Sequence, residues 1–119
     1  MEQQEAAAFA RRWVTAWNDR DVEAVLSHFA DDAVFTSPLA DRVVPGSGGV
    51  IRGKDALRRY WIEALRLNPG LHFELLGVYF GVDALVIRFR TQDGTDRCEV
   101  LAFSGGLVRS GQGTYATTF

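Results

Sequence analysis

An α+β fold is predicted by three features of this 119-residue chain: helical periodicity confined to its first 67 residues, four strand-like segments in the remainder, and glycine-bearing turns between them. Phe9, Trp13 and Trp17 recur every four residues with Ala6, Ala10 and Ala16 beside them, which predicts a helix over residues 3–17 with one aromatic stripe. Asp21 offers a carboxylate to cap a second helix over 21–29, where Val22, Val25, Leu26 and Phe29 share one face. Asp31-Asp32 breaks that pattern, and residues 33–37 read as a strand ending at Ser37-Pro38. Residues 39–52 contain Pro45-Gly46-Ser47-Gly48-Gly49 and read as a long loop, a kind of segment that often carries function. A third helix is predicted from Asp55 to Leu67, burying Leu57, Ala64, Leu65 and one of the neighbours Tyr60 and Trp61, and Asn68-Pro69-Gly70 ends it. Strands follow at 72–80, 84–91, 96–104 and 107–117, separated by Gly81, Asp93-Gly94 and Gly105-Gly106.

At 47% hydrophobic content, 119 residues suffice for one domain with a real core and are too few for two, so residues 1–119 are read as a single domain. Thirteen basic against fifteen acidic residues, without long like-charge runs, leave no electrostatic footprint for nucleic acid or a membrane surface. Residues 2–12 lack the basic-then-apolar pattern of a signal peptide, and no apolar run approaches the roughly 20 residues of a membrane span. The lone Cys98 excludes an internal disulfide and a multi-cysteine metal site, which suits the cytoplasm. No His/Asp/Glu cluster at ligand spacing, phosphate-cradling loop or nucleophile elbow is present, so no metal or cofactor is expected.

Asp93-Gly94 is the dipeptide preferred in two-residue hairpin turns, and such a turn sets the pairing of the flanking strands. Gln92 would then face Thr95, Arg88 would face Glu99, Arg90 would face Arg97 and Val86 would face Leu101, all on one side of the sheet. The other side would hold Leu85, Ile87, Phe89, Cys98, Val100 and Ala102. A slip of one residue inverts these assignments. On the last strand Tyr115 alternates with Gly111 and Gly113, whose missing side chains leave room for a ligand beside it, or mark a bulge or a close backbone approach.

The stretch from Asp19 to Pro38, with the aromatic helix before it and Gly53-Lys54-Asp55-Ala56-Leu57 after it, resembles the nuclear transport factor 2-like superfamily, in particular its SnoaL-like branch of ketosteroid isomerase and polyketide cyclase relatives. The resemblance covers nearly the whole chain. It implies a cone of three N-terminal helices on a curved antiparallel sheet that encloses a pocket. It also implies that Glu99 points into the concave pocket, and that the outer face bearing Leu85, Ile87, Phe89, Val100 and Ala102 packs against a second copy in a homodimer.

Matched against ketosteroid isomerases, Ser37 stands where the general-base aspartate would be, Trp13 where an oxyanion-hole tyrosine would be, and Glu99 where a second, protonated oxyanion-hole acid would be. Serine has no accessible pKa near neutrality and indole N–H only donates, so steroid isomerisation is not expected. Arg88 directly across from Glu99 would favour the carboxylate, giving either a structural salt bridge or a pair that activates water or clamps a substrate. The expected function is a pocket for a small, mainly apolar ligand. Any catalysis would be isomerase-, cyclase- or hydrolase-like acid/base or water-activating chemistry around Glu99 and Arg88, with Trp13, Trp17, Ser37, Tyr60, Leu101 and Tyr115 as ligand contacts. The alternative is a non-catalytic ligand-binding or dimeric assembly domain.

Overall fold

The computed structural model describes all 119 residues. In chain order the elements are α1 (Gln3–Asn18), α2 (Val22–Leu26), β1 (Phe29–Thr36), α3 (Ala40–Val43), β2 (Val50–Arg52), α4 (Lys54–Leu67), β3 (Phe73–Phe80), β4 (Ala84–Thr91), β5 (Asp96–Ser104) and β6 (Leu107–Tyr115). Six strands form one curved, unclosed sheet in the order β2-β1-β6-β5-β4-β3, and the helices cover its inner face. The sheet is mixed rather than wholly antiparallel, because β1 runs parallel to β6.

Asp21 caps α2 as its sequence position predicts, its carboxylate accepting from the Ala24 amide at 3.0 Å. The helix is shorter than its apolar pattern suggests. The Val108 amide donates to the His28 carbonyl at 2.8 Å, so the chain is already committed to the sheet there, and Phe29 enters the core from β1. The segment 39–52 is also more ordered than its glycines imply: it holds α3 and β2, and β2 pairs antiparallel with β1 through Phe35 opposite Ile51.

At the far edge of the sheet, the Asn18 side chain stands in for a strand. Its Nδ2 donates to the Phe73 carbonyl at 3.0 Å and its Oδ1 accepts from the Phe73 amide at 2.8 Å. Both backbone groups of an edge residue are thereby satisfied, and Phe73 is fixed against α1. There it stacks on Trp13 with ring centroids 5.4 Å apart and tilts onto Phe89 at 4.4 Å. Trp17 meets Trp61 edge-on at 5.3 Å, and Trp61 meets Phe35 edge-on at 5.5 Å. These offset and edge contacts bind α1, α4 and the sheet into one aromatic core.

The β4–β5 hairpin corrects the expected register. Its loop has three residues, Gln92, Asp93 and Gly94; the Thr91 amide donates to the Thr95 carbonyl at 3.0 Å and the Gly94 amide to the Thr91 carbonyl at 2.9 Å. Gly94 has φ +83°, the left-handed conformation that closes such a loop and that glycine adopts without steric cost. Asp93 secures the turn by accepting from the Thr91 hydroxyl and from the Thr95 amide. Consequently Ile87 lies opposite Glu99, Arg88 opposite Cys98, Phe89 opposite Arg97 and Arg90 opposite Asp96. Leu85, Ile87 and Phe89 turn to the inner face and are fully buried, not presented on the outside. Arg88 turns outward and pairs with Asp96, Nη2 to Oδ2 at 2.6 Å.

Candidate functional site

Between the inner face of the sheet and helices α1, α3 and α4 lies a cavity of about 340 Å³. Twelve of its sixteen lining residues are hydrophobic, so an occupant must be mainly apolar. Trp13 and Trp17 reach it from α1, Tyr60 and Trp61 from α4, Phe35 from β1, Phe73 from β3 and Phe89 from β4. Tyr60 and Trp61 both point inward and both are buried, contrary to the expectation that only one would. The cavity wall curves around α4, so adjacent residues meet different parts of it: Tyr60 lies against Phe35, and Trp61 against Trp17 and Phe29.

Two of the four polar residues that line this apolar chamber come from β5. Arg97 and Glu99 alternate with outward-facing Cys98, so both side chains enter the cavity. Glu99 is 4% exposed. Burial pushes its carboxyl up to about 8, and the nearby Arg97 guanidinium only partly offsets that rise. At neutral pH Glu99 is therefore mostly the neutral acid. Arg97 lies over two rings, its Cζ 4.4 Å from the Tyr115 centroid and 5.2 Å from the Phe89 centroid. Its Nε, the indole Nε1 of Trp13 and of Trp17, and the Tyr115 hydroxyl are all buried with no hydrogen-bond partner in the protein. Unpaired buried donors are uncommon and costly, and three of the four belong to residues that line the cavity. Burial, partly offset by the Ser37 hydroxyl, also raises the Tyr60 phenol above its ordinary range.

Of the residues singled out in the sequence, Trp13, Trp17, Tyr60 and Glu99 line the cavity. Leu101 is fully buried on the same inner face as Glu99, beneath the chamber rather than on its wall. Tyr115 faces inward but serves as a platform for Arg97. Ser37 is buried beside a separate, polar depression formed with Asp41, Gly48 and Gly49, and its Oγ accepts from the Leu39 amide at 3.2 Å. Arg88 is absent from the site because the register turns it to the other face. Gly111 and Gly113 make room for the protein, not for a ligand: a Cβ on Gly111 would lie 3.0 Å from Phe35, and one on Gly113 would lie 3.3 Å from Ser37. Arg97 is the functional candidate that the hairpin reading passed over. Strand alternation alone puts Arg97 on the face of Glu99, whereas a two-residue turn would have brought Arg88 there as well.

The sequence profile of the SnoaL-like domain matches residues 10–111. The chain belongs to the SnoaL-like family. Among solved structures, a SnoaL-like protein of unknown function from Burkholderia thailandensis is 38% identical, with a TM-score of 0.90 and 98% of each chain covered. A putative polyketide cyclase from Sinorhizobium meliloti shares the fold at 16% identity and a TM-score of 0.73, covering 96% of this SnoaL-like chain and all of its own. TerC, co-crystallised with polyporic acid, also shares it at 16% identity and a TM-score of 0.72, over 94% of this chain and 89% of its own. No curated protein matched in sequence. No helix of this SnoaL-like domain is long and apolar enough to cross a membrane.

Proposed function

We propose that the cavity binds a small, mainly apolar molecule bearing a carbonyl, and that Glu99 moves a proton on it. The observation that carries this reading is a single buried carboxyl, raised to about 8, in an aromatic chamber with unpartnered N–H donors. A carboxylate of that pKa is a stronger base than an ordinary one, and the minority of it that is ionised near neutral pH suffices for a base that is regenerated each turnover. It would take a proton from the carbon beside the carbonyl and return it, while the Trp13 and Trp17 N–H groups donate hydrogen bonds to the oxygen on which negative charge develops. Arg88 has no part in this scheme. The fold shared with a protein described as a putative polyketide cyclase agrees with carbonyl chemistry.

A second reading, non-catalytic ligand binding, is favoured by one feature: Glu99 is the sole carboxylate of the lining, which includes no histidine. We propose further that the protein acts in the cytoplasm, consistent with the free Cys98, and that the outer sheet face joins two copies.

All three tryptophans of the chain line the cavity, so intrinsic fluorescence reports on it directly. Titration with 2-acetonaphthone should quench that fluorescence, and in D2O the methyl protons of the ketone should exchange faster than without protein. Glu99→Gln should keep the quenching and lose the exchange. Quenching without exchange in the wild type would select the binding-only reading, and the absence of both would reject the site.

A further inference from the structure

We propose that the natural ligand of this cavity is an organic anion, a carboxylate or acidic enol on a flat apolar frame, seated by the Arg97 guanidinium. The inference rests on the reading of the cavity as a ligand site and adds the charge of what it takes.

Arg97 makes no salt bridge: the ion pairs of the protein involve Arg58, Arg66, Arg88 and Arg109, all outside the cavity lining. It also makes no side-chain hydrogen bond, and its Nε is buried without a partner. The rings of Phe89 and Tyr115 hold the guanidinium in place without neutralising it. A guanidinium fork fixed in this way presents donors in the planar arrangement that a carboxylate or enolate oxygen pair matches. Its only acidic neighbour in the lining is Glu99, which burial keeps largely protonated at neutral pH. Arg97 is half-buried, with its Nε wholly shielded from water, so the chamber holds a partly desolvated positive charge among aromatic walls, and an anionic ligand group would pair with it. Arg42 at the exposed rim adds a second cation on the path inward.

The test uses two probes of one shape, 2-naphthoate and its neutral isostere 2-naphthamide, titrated by tryptophan fluorescence at pH 7. The wild type should bind the naphthoate at least about tenfold more tightly. Arg97→Gln should reduce that preference to below about threefold while leaving naphthamide affinity within about threefold of wild type. Equal affinities in the wild type, or a preference that survives Arg97→Gln, would overturn the inference while the cavity reading stands. If neither probe binds, the cavity reading falls and this inference with it.

Should Arg97→Gln fail to fold, a pH series on the wild type decides. The ionisable groups around Glu99 are Arg97 from its own strand, Tyr60 from α4, Tyr115 from β6 and Arg42 from α3. Guanidinium groups stay charged and a phenol ordinarily ionises near pH ~10, so Glu99 is the group that changes over pH 6–9. As it ionises through about 8 it supplies the missing counter-charge. Naphthoate affinity should therefore fall severalfold while naphthamide affinity stays level, and a constant ratio of the two would overturn the inference.

Discussion

Arg97 and Glu99 project from alternate positions of β5 into one cavity, and neither has an ion-pair partner. Two opposite charges so placed would normally neutralise one another. The desolvation of a carboxyl that is 4% exposed instead outweighs the attraction of the arginine, and the proton stays on Glu99 until pH approaches about 8.

A stability signature follows from that proton. Folding raises Glu99 from 4.5 to about 8, so between those values the native state holds a proton that the unfolded chain has released. Stability attributable to this group is therefore highest below 4.5, declines as pH rises through the window, and is level above about 8. Glu99→Gln keeps the shape of the neutral acid and removes the titration. The variant should match wild type near pH 4 and exceed it near pH 9, by on the order of 3–5 kcal/mol. Urea denaturation across that range measures it, and a constant difference between the two proteins would show that Glu99 is not a buried neutral acid.

Arg88 and Asp96 provide the contrast, because their ion pair lies on the outer face with side chains 42% and 30% exposed. Solvent screens such a pair, and neither group touches the cavity. Arg88→Met and Asp96→Asn should each leave the melting temperature close to wild type, and both should bind 2-acetonaphthone as wild type does. Weakened binding in Arg88→Met would restore the two-residue hairpin and its opposite arrangement of faces.

Strand limits were legible because alternation and glycine turns mark them: 84–91 and 96–104 are predicted and observed without change. The pairing of those same strands was not. Asp93-Gly94 is equally compatible with a two-residue turn and with the end of a three-residue loop, and the choice depends on whether Thr95 pairs with Gln92 or with Thr91, a difference of one residue that strand alternation and the dipeptide do not mark. One residue of slip moved Arg88 out of the site and Leu85, Ile87 and Phe89 into the core. Glu99 survived the slip because its placement came from family resemblance and not from the turn. The three-residue β2 escaped notice, since a segment that short carries too little alternation and its identity depends on pairing with β1.

Gly111→Ala should destabilise the fold by about 1–3 kcal/mol, the usual cost of overpacking. Gly111 lies beside Phe35 on β1 and opposite Leu101 on β5, and an added methyl would lie 3.0 Å from the Phe35 ring and 3.2 Å from Leu101 Cδ2. Both neighbours are buried, so the ring must shift. Phe35 also forms cavity wall, and affinity for 2-acetonaphthone should fall with the stability. Gly113→Ala, whose methyl would meet the smaller Ser37 at 3.3 Å, should be the milder change. Chemical denaturation of the two variants tests the order, and a neutral Gly111→Ala would reject the tight β1–β6 packing.

On the outer face Tyr79, Val86 and Val100 lie side by side across β3, β4 and β5. Tyr79 is 61% exposed and Val86 and Val100 are half-buried, a row of apolar side chains running from the β3 edge inward across a face of the sheet that no helix covers. The Arg88–Asp96 pair and Arg90 edge it with charge. Apolar centres with polar rims are characteristic of interfaces between subunits, so the dimer proposed for this face should centre on Val86 and Val100 rather than on Leu85, Ile87 and Phe89. Sedimentation velocity at tens of micromolar should give twice the 13.2 kDa chain mass. Val100→Glu would place two carboxylates against each other near the symmetry axis and should yield a folded monomer with unchanged circular dichroism. A wild type that sediments as a monomer, or a Val100→Glu variant that remains a dimer, would move the interface elsewhere.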